Sequence, residues 1–257
     1  MTMRPHMPTT PSFRLDGRHA LVTGGSRGIG FALALALAGA GARLTLWARS
    51  REAVEEAATS ICAVGGTAQG HAVDVRDPGA VQAAMAAVDP CDILVNNAGT
   101  NRPRPFVEAT EEEYDTVMSL NVRAAYFVAQ AAARRMVAAG AGGSIINLSS
   151  QAGRVAANGR SVYTISKFAV EGMTRALAVE LAPHRIRVNS LCPTFIETEM
   201  TQSSLSDPGF RDAVLSRIRL GRLGKVEDLM GAAVFLASDA SALMTGSSMM
   251  LDGGWTA

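Results

Sequence analysis

The sequence is poor in several features that would indicate particular classes of protein. Cysteine occurs only three times in 257 residues, at widely separated positions, so neither a disulfide framework nor a metal-binding cluster is indicated. We therefore expect a reducing, cytoplasmic environment and no metal site. The formal net charge is +1, which gives no reason to expect nucleic acid or a membrane surface as a partner. The longest apolar stretch, residues 31–38, is far too short to span a bilayer.

The first twelve residues form a segment of different character from the rest. Residues 1–12 are rich in Pro and Thr and lack the apolar centre of a signal peptide, so we predict a disordered tail. Over residues 13–257 no repeat, low-complexity linker or shift in composition marks a boundary. With 48% hydrophobic and 18% charged residues in the whole chain, we predict a single globular domain there.

Short apolar runs alternate with longer helical stretches along this domain. Strands are predicted at residues 19–22, 43–47, 71–73, 93–95, 145–148, 186–191 and 248–251. Helices are predicted up to residue 40 and at residues 50–64, 111–139, 161–181 and 226–236. The helix at residues 111–139 is predicted to break near Asn121. Strands separated by helices imply crossover connections. We therefore predict an α/β fold, a doubly wound parallel sheet with helices on both faces and its ligand site at the carboxyl ends of the strands.

A glycine-rich turn connects the first strand to the first helix. It reads Thr-Gly-Gly-Ser-Arg-Gly-Ile-Gly over residues 23–30, and its candidate ligand contacts are Gly24, Ser26, Arg27, Gly28, Ile29 and Gly30. Glycine lets the main chain approach a pyrophosphate closely, and a helix N-terminus presents free N–H groups to it. Such a run is also compatible with a plain turn, but its position before the first helix favours a dinucleotide site.

The end of the second strand indicates which dinucleotide binds. A carboxylate there would accept hydrogen bonds from the ribose hydroxyls of NAD, but the sequence is Trp47-Ala48-Arg49-Ser50. Arg49, together with Arg27, suits the 2′-phosphate of NADP because guanidinium groups bind phosphate well. The alternative is that both are solvated surface arginines. We therefore predict NADP as the cofactor, with NAD as the second choice.

Tyr163 and Lys167 form the candidate acid/base pair. They lie four residues apart in a predicted helix, so that both side chains fall on one face. A phenol has a reference pKa of about 10, and a neighbouring ammonium stabilises its ionised form. The pair could exchange a proton with a substrate oxygen while a hydride moves at the adjacent carbon. Coincidence is the alternative, but only three tyrosines and two lysines occur in the chain.

Two polar residues complete the candidate catalytic set. Ser150 follows a predicted strand and could hold the substrate oxygen beside Tyr163, although serine is also common in strand-end turns. Asn121 interrupts a helical pattern. It could mark a local break that holds a water near Lys167, or it could be an ordinary mid-helix asparagine.

Taken together, these residues resemble the classical short-chain dehydrogenases/reductases from about His19 to the C-terminus. Asn121, Ser150, Tyr163 and Lys167 match that family's catalytic tetrad, and the glycine turn matches its cofactor loop. The resemblance further implies cofactor contacts from Asp74, Val75, Asn97, Ala98, Gly99, Tyr163, Lys167, Pro193, Ile196 and Thr198. It implies a Rossmann-type sheet of about seven strands and a homotetramer. Thr194 departs from the family pattern, since glycine is usual after Pro193, and this puts the local backbone shape in question.

The resemblance implies an NAD(P)-dependent oxidoreductase acting on a carbonyl or secondary alcohol. Arg102, Arg104, Arg154 and Arg160 lie in loops near the expected site and could favour an anionic or polar substrate, or could be solvated loop residues. Both 3-oxoacyl and sugar or polyol substrates remain open, as does a non-catalytic nucleotide-binding regulator. Residues 197–221 show no clear periodicity and are predicted to form a mobile lid.

Overall fold

The seven strands found in the described part of the chain form one parallel sheet. The structure is a computed structural model and describes residues 7–257. The strands are β1 (His19–Thr23), β2 (Arg43–Ala48), β3 (Thr67–Ala72), β4 (Ile93–Asn96), β5 (Gly143–Leu148), β6 (Ile186–Pro193) and β7 (Ser248–Leu251). Their spatial order is β3-β2-β1-β4-β5-β6-β7. The strand order reverses between β1 and β4, and a crevice therefore opens at the carboxyl ends of these two strands. The predicted doubly wound α/β fold is confirmed.

Helices cover both faces of this sheet. They are α1 (Gly28–Gly39), α2 (Arg51–Ala63), α3 (Pro78–Ala87), α4 (Glu111–Met118), α5 (Ala125–Ala139), α6 (Ser161–Leu181), α7 (Glu199–Leu205), α8 (Pro208–Leu215) and α9 (Glu227–Ala237). One apolar layer packs α1, α2 and α9 against the sheet, with Leu33, Val54 and Leu236 fully buried. A second layer packs α3, α5 and α6 against the other face, with Val128 and Ile145 at its centre. The central strands are buried on both sides, which explains their continuous apolar sequences.

The third strand is an exception to this burial. It spans Thr67–Ala72 at the edge of the sheet, and none of its side chains is buried. The predicted strand at 71–73 therefore began too late, because an exposed edge strand carries polar and small residues instead of an apolar run. The helix α3 that follows was not predicted. Asp77 caps its N-terminus, with its side chain accepting from the N–H groups of Gly79 and Ala80, and Pro78 occupies the first turn.

The segment predicted as a mobile lid, residues 197–221, contains two short helices. Thr198 begins α7, and Asp207 caps α8 by accepting from the N–H of Phe210. Leu205 of α7 and Val214 of α8 meet in a small separate cluster with Ile218 and Leu223, which follow α8. The irregular spacing of these residues reflects two helices of seven and eight residues, which are too short to show a clear period. The mobility of the segment stays a prediction.

The break predicted near Asn121 is present. Between α4 and α5 the chain forms a π-helical turn over Ser119–Ala124, so that one long helical stretch carries a local widening at Asn121. Such turns are rare and disrupt the regular hydrogen-bond ladder. The widening turns the buried Asn121 side chain towards the loop after β4.

The described part of the N-terminal segment lines neither of the two cavities discussed below. Residues 7–12 are exposed and form neither helix nor strand, while residues 1–6 of the predicted tail lie outside the described residues. In the described range, no helix has the length and apolarity needed to cross a membrane. The three cysteines are free thiols, and burial raises the pKa of the Cys91 and Cys192 thiols to about 12.

Candidate active site

A cleft of about 680 Å³, here called the main cleft, opens at the carboxyl ends of β1, β4, β5 and β6. Of the predicted site residues it is lined by Gly24, Arg27, Gly28, Ile29, Gly30, Arg49, Asn97, Ala98, Gly99, Ser150, Tyr163, Lys167, Pro193, Ile196 and Thr198. Ser26, Asp74, Val75 and Asn121 do not line it. Residues from six separate parts of the chain therefore meet at the edge of the sheet where the fold predicts a ligand.

The glycine turn brings the main chain unusually close to itself. A Cβ atom at Gly30 would lie 2.2 Å from the carbonyl oxygen of Gly24, a distance that no side chain tolerates. Gly24 and Gly28 have φ angles of 64° and 55°, in the left-handed region that favours glycine. Arg27, the N-cap of α1, makes no side-chain capping bond. The first N–H groups of α1 are thus available to an anion in the cleft.

Asn97 locks the turn to the neighbouring strand. Its Nδ2 donates to the carbonyl oxygens of Thr23 (2.9 Å) and Gly24 (3.1 Å), while its own N–H donates to the Thr23 hydroxyl. These bonds span the point where β1 and β4 diverge. Asn97 therefore fixes the shape of the turn, in addition to lining the cleft.

The two arginines predicted to bind a 2′-phosphate have different surroundings. Arg27 donates to Glu199 of α7 at 2.9 Å, and both side chains are exposed. Arg49 also lines the main cleft, but no carboxylate of the described residues lies within 4.0 Å of it. The Arg76 guanidinium, which chelates Asp74, holds the pKa of that carboxyl below its usual range. Arg49 is therefore available to bind an anion at this end of the cleft.

Tyr163 and Lys167 lie on the inward face of α6, as their spacing predicts. The Lys167 residue is 94% buried, and its Nζ donates to the Leu148 carbonyl oxygen at 2.8 Å. The same ammonium lies 5.5 Å from the centre of the Tyr163 ring. The end of β5 thus fixes the ammonium beside the phenol. Their roles as an acid/base pair stay predictions.

Ser150 is held by an interaction that was not predicted. Its hydroxyl donates to Oε1 of Gln151 at 2.6 Å and accepts from the N–H of Ala152 at 3.1 Å. Gln151 is buried and also lines the site, but glutamine after a serine is too common a sequence to have signalled this contact. The serine proton is directed to Gln151, so a substrate oxygen would have to compete with that amide for it.

Asn121 lies behind the cleft instead of on its wall. Its Nδ2 donates to the Thr100 carbonyl (2.9 Å) and to the Ser166 hydroxyl (3.0 Å), and its Oδ1 accepts from the Thr100 N–H at 2.8 Å. Ser166 in turn donates to the Tyr163 carbonyl at 2.7 Å. Asn121 therefore connects the loop after β4 to α6, the helix that carries Tyr163 and Lys167. In this geometry its side chain is occupied by protein groups.

A second cavity of about 350 Å³, here called the side cavity, adjoins the main cleft. Both are lined by Ser150, Tyr163 and Thr194, which therefore stand where the two spaces meet. The remaining walls of the side cavity are formed by the loop after β4, Gln151, Arg160, Phe195 and the α7 segment. Many of these groups are polar, which suits a substrate that forms several hydrogen bonds.

The four loop arginines differ in position. Arg102 and Arg160 line the side cavity, with Arg102 also reaching the main cleft. Arg104 instead donates to Glu113 at 2.7 Å, and Arg154 lines neither space. Only two of the four therefore remain candidates for contact with substrate.

The chain after β6 closes the far side of both spaces. Ile196 is buried and its carbonyl accepts from the Thr201 hydroxyl, while Thr198 begins α7. Thr194 replaces the expected glycine without strain. Among the described non-glycine residues, only Arg185 has a positive φ angle. The local backbone therefore does not require glycine at this position.

Comparisons with known proteins agree with this geometry. A family model described as enoyl-(acyl carrier protein) reductase matches residues 24–256. The L-xylulose reductase of Bos taurus is 42% identical, with 95% of this chain and 98% of that protein covered. The gluconate 5-dehydrogenase of Gluconobacter oxydans is also 42% identical, over 95% of this chain and 96% of that protein. A solved gluconate 5-dehydrogenase from Burkholderia cenocepacia, in complex with NADP and tartrate, superposes with a TM-score of 0.92 at 39% identity, covering 95% and 97% of the two chains.

Proposed function

Because the chain belongs to the short-chain dehydrogenase/reductase family, we propose that it transfers a hydride between NADP(H) and a small sugar or polyol. The reacting group is a secondary alcohol in one direction and a ketone in the other. One observation carries the proposal: Tyr163 and Ser150 stand at the junction of the main cleft and the side cavity. A hydride donor in one space and a carbonyl in the other would meet beside these two side chains.

The residues of the main cleft fit a dinucleotide phosphate. The glycine turn forms a cradle that a Cβ at Gly30 would fill, and the uncapped start of α1 offers N–H groups to the pyrophosphate. Arg49 is assigned to the 2′-phosphate, which favours NADP over NAD, and Ile196 and Thr198 to the nicotinamide end. When bound, the nicotinamide supplies or accepts the hydride.

The protein supplies the proton that accompanies this hydride. In reduction Tyr163 donates its phenolic proton to the substrate oxygen, and in oxidation the phenolate takes that proton back. Lys167 holds its ammonium beside the phenolate, where it stabilises the negative charge. Ser150 positions the substrate oxygen, for which it releases the hydrogen bond to Gln151. Asn121 acts as a positioning residue through Thr100 and Ser166.

The sugar or polyol class is supported by two independent facts. The relatives at 42% identity are named for xylulose and gluconate, which are small polyhydroxylated compounds. The side cavity is lined by hydroxyl, amide and guanidinium groups of Ser150, Gln151 and Arg160, which form hydrogen bonds with such substrates. An acyl chain of a 3-oxoacyl substrate would leave these polar groups without partners.

We further propose a cytoplasmic homotetramer. Three free thiols suit a reducing compartment. Tyr126, Phe127, Ile165 and Phe168 of α5 and α6 each expose more than a third of their surface, and such patches mark protein–protein contacts. Light scattering on the purified protein tests the assembly: a mass four times that of the 26.8 kDa chain is expected, and a monomer would contradict it.

The function is tested by measuring turnover with each cofactor against a substrate panel. NADPH and NADH are combined with L-xylulose, a keto acid of gluconate and a 3-oxoacyl thioester, and NADP⁺ with the corresponding alcohols. We expect turnover of at least one sugar-type substrate, with NADP(H) preferred. Activity confined to the thioester would refute the substrate class. Tight cofactor binding with no turnover of any member would instead indicate a nucleotide-binding regulator.

A further inference from the structure

Arg160 carries a positive charge that nothing in the described protein neutralises. It precedes α6, three residues before Tyr163, and lines the side cavity. Burial lowers the pKa of its guanidinium from the usual value. Within residues 7–257 its guanidinium donates to no protein oxygen, and no carboxylate lies within 4.0 Å of it.

Two aromatic rings lie against this guanidinium. Its central carbon lies 5.1 Å from the centre of the Phe195 ring and 5.5 Å from that of Phe210. The rings offer a cation favourable electrostatics at their faces, but they accept none of its hydrogen bonds. The N–H edges of Arg160 therefore remain unused. A planar carboxylate is the group that such an edge binds best, through two parallel hydrogen bonds.

The rest of the side cavity supplies partners for hydroxyl groups. Oδ1 of Asn101 and Oγ1 of Thr194 are buried polar atoms with no hydrogen-bond partner, and both residues line this cavity. Unpartnered buried polar atoms are rare in folded proteins and point to a missing ligand or water. Arg102 lies in the same wall as Asn101 and adds a second positive charge. The cavity thus combines hydroxyl-binding atoms with uncompensated positive charge.

We propose that Arg160 binds the carboxylate of the substrate, so that the side cavity selects a polyhydroxy acid over the neutral polyol with the same carbon chain. This inference rests on the proposed sugar or polyol function and narrows it. A neutral polyol would leave this partly desolvated guanidinium without a charged partner, at a cost that an acid avoids. Arg160 is therefore a specificity-determining residue that contacts substrate, while Tyr163 carries the proton.

A purely structural role for Arg160 makes a different prediction. The Arg160 side chain packs between the start of α6 and Phe210 of α8, so its role could be limited to holding α7 and α8 in position. Loss of such a packing contact would weaken the binding of every substrate to the same extent, because the whole wall of the cavity would become less ordered. Loss of the group that binds the carboxylate would instead weaken the binding of acids and leave the binding of neutral polyols unchanged.

The experiment compares matched substrates on matched variants. Threonate, xylonate and gluconate are each measured with NADP⁺ against threitol, xylitol and glucitol. Arg160→Met keeps an unbranched side chain that packs on aromatic rings but removes the charge and the donors. Arg160→Lys keeps the charge but loses the planar fork. Arg154→Met is the control, since Arg154 is an exposed loop arginine that lines neither space.

The wild-type enzyme is expected to favour at least one acid over its neutral partner by about tenfold in kcat/KM. In Arg160→Met the KM for that acid should rise by about tenfold to a hundredfold, with kcat little changed and the neutral polyol within about twofold. Arg160→Lys should recover part of the loss, and Arg154→Met should change nothing. Equal losses for acid and polyol, or a wild-type preference for the polyol, would overturn the carboxylate assignment alone. Turnover of neither would overturn the proposed function as well.

Discussion

The main cleft and the side cavity share one edge of the sheet but are built in different ways. The phosphate end of the main cleft comes from consecutive residues, 23–30, and its shape depends on main-chain geometry that only glycine permits. The side cavity is assembled from the loops after β4, β5 and β6, the start of α6, and α7. Its contacts are between side chains that are distant in sequence. A site formed by the backbone of consecutive residues can be predicted from the sequence. A site formed by side chains that are distant in sequence can be recognised only once the fold is known.

Tyr163 belongs to both regions, and its removal should have the largest effect on activity. Tyr163→Phe deletes the proton donor while keeping the ring beside Lys167. We expect kcat to fall by about 10²- to 10⁴-fold, with cofactor affinity retained. Steady-state kinetics and fluorescence titration with NADPH measure the two quantities. Tyr114→Phe, on an exposed face of α4 away from both cavities, is the control. A parallel loss of cofactor binding would assign Tyr163 a structural role.

Gly30→Ala tests whether the phosphate end is truly made by the backbone. The new Cβ would lie 2.2 Å from the Gly24 carbonyl and 2.4 Å from Nδ2 of Asn97, so the turn must shift. We expect an overpacking cost of about 1–3 kcal/mol in unfolding free energy and a loss of NADPH affinity of at least about tenfold. Gly39→Ala, in the same helix with no atom within 4 Å, should be neutral or stabilising. Equal behaviour of the two variants would remove the close-approach argument.

The same contrast explains what could be predicted from the sequence. Buried strands such as β1 and β6 were recognisable because their apolar runs need two covered faces, and the Tyr163–Lys167 pair because helical spacing puts both on one face. The pairing of Ser150 with Gln151 was not predictable, since no spacing rule distinguishes it from two polar neighbours. The stacking of Arg160 on Phe195 and Phe210 joins three segments and likewise has no local signature.

The two arginines near the phosphate end of the main cleft differ in whether they form an ion pair. Arg27 is paired with Glu199, whereas Arg49 is free of any carboxylate in the described chain. We expect Arg49→Ala to raise the Kd for NADPH by about tenfold and to leave that for NADH nearly unchanged. Arg27→Ala should have a weaker effect, because binding through Arg27 must first break its ion pair. Titration with both cofactors decides this, and equal weakening of NADPH and NADH in Arg49→Ala would remove the argument for NADP.

Three helices, α3, α7 and α8, were not predicted, although one recognised signal begins two of them. Asp77-Pro78 starts α3, and Asp207-Pro208 starts α8, each with the aspartate as N-cap and proline in the first turn. This pairing is a recognised helix start, because aspartate accepts from free N–H groups and proline needs no donor there. The alanine-rich α3 has only a weak apolar stripe, and α8, although amphipathic, is only eight residues long and spans too few turns for its period to be recognised in the sequence.

These equivalent caps provide the mildest test of how the two regions differ. Asp77→Ala and Asp207→Ala each remove one capping interaction, with an expected local cost of about 1 kcal/mol. Because α3 packs into the main core through Val81 and Met85, the Asp77 variant should lower the global unfolding free energy by that amount. In contrast, α8 contributes Val214 to a small separate cluster beside the side cavity. The Asp207 variant should therefore speed amide exchange in α7 and α8 and raise KM for substrate while Tm changes less. If both variants lower Tm equally and spare KM, the α7–α8 segment is part of the same cooperative unit as the sheet.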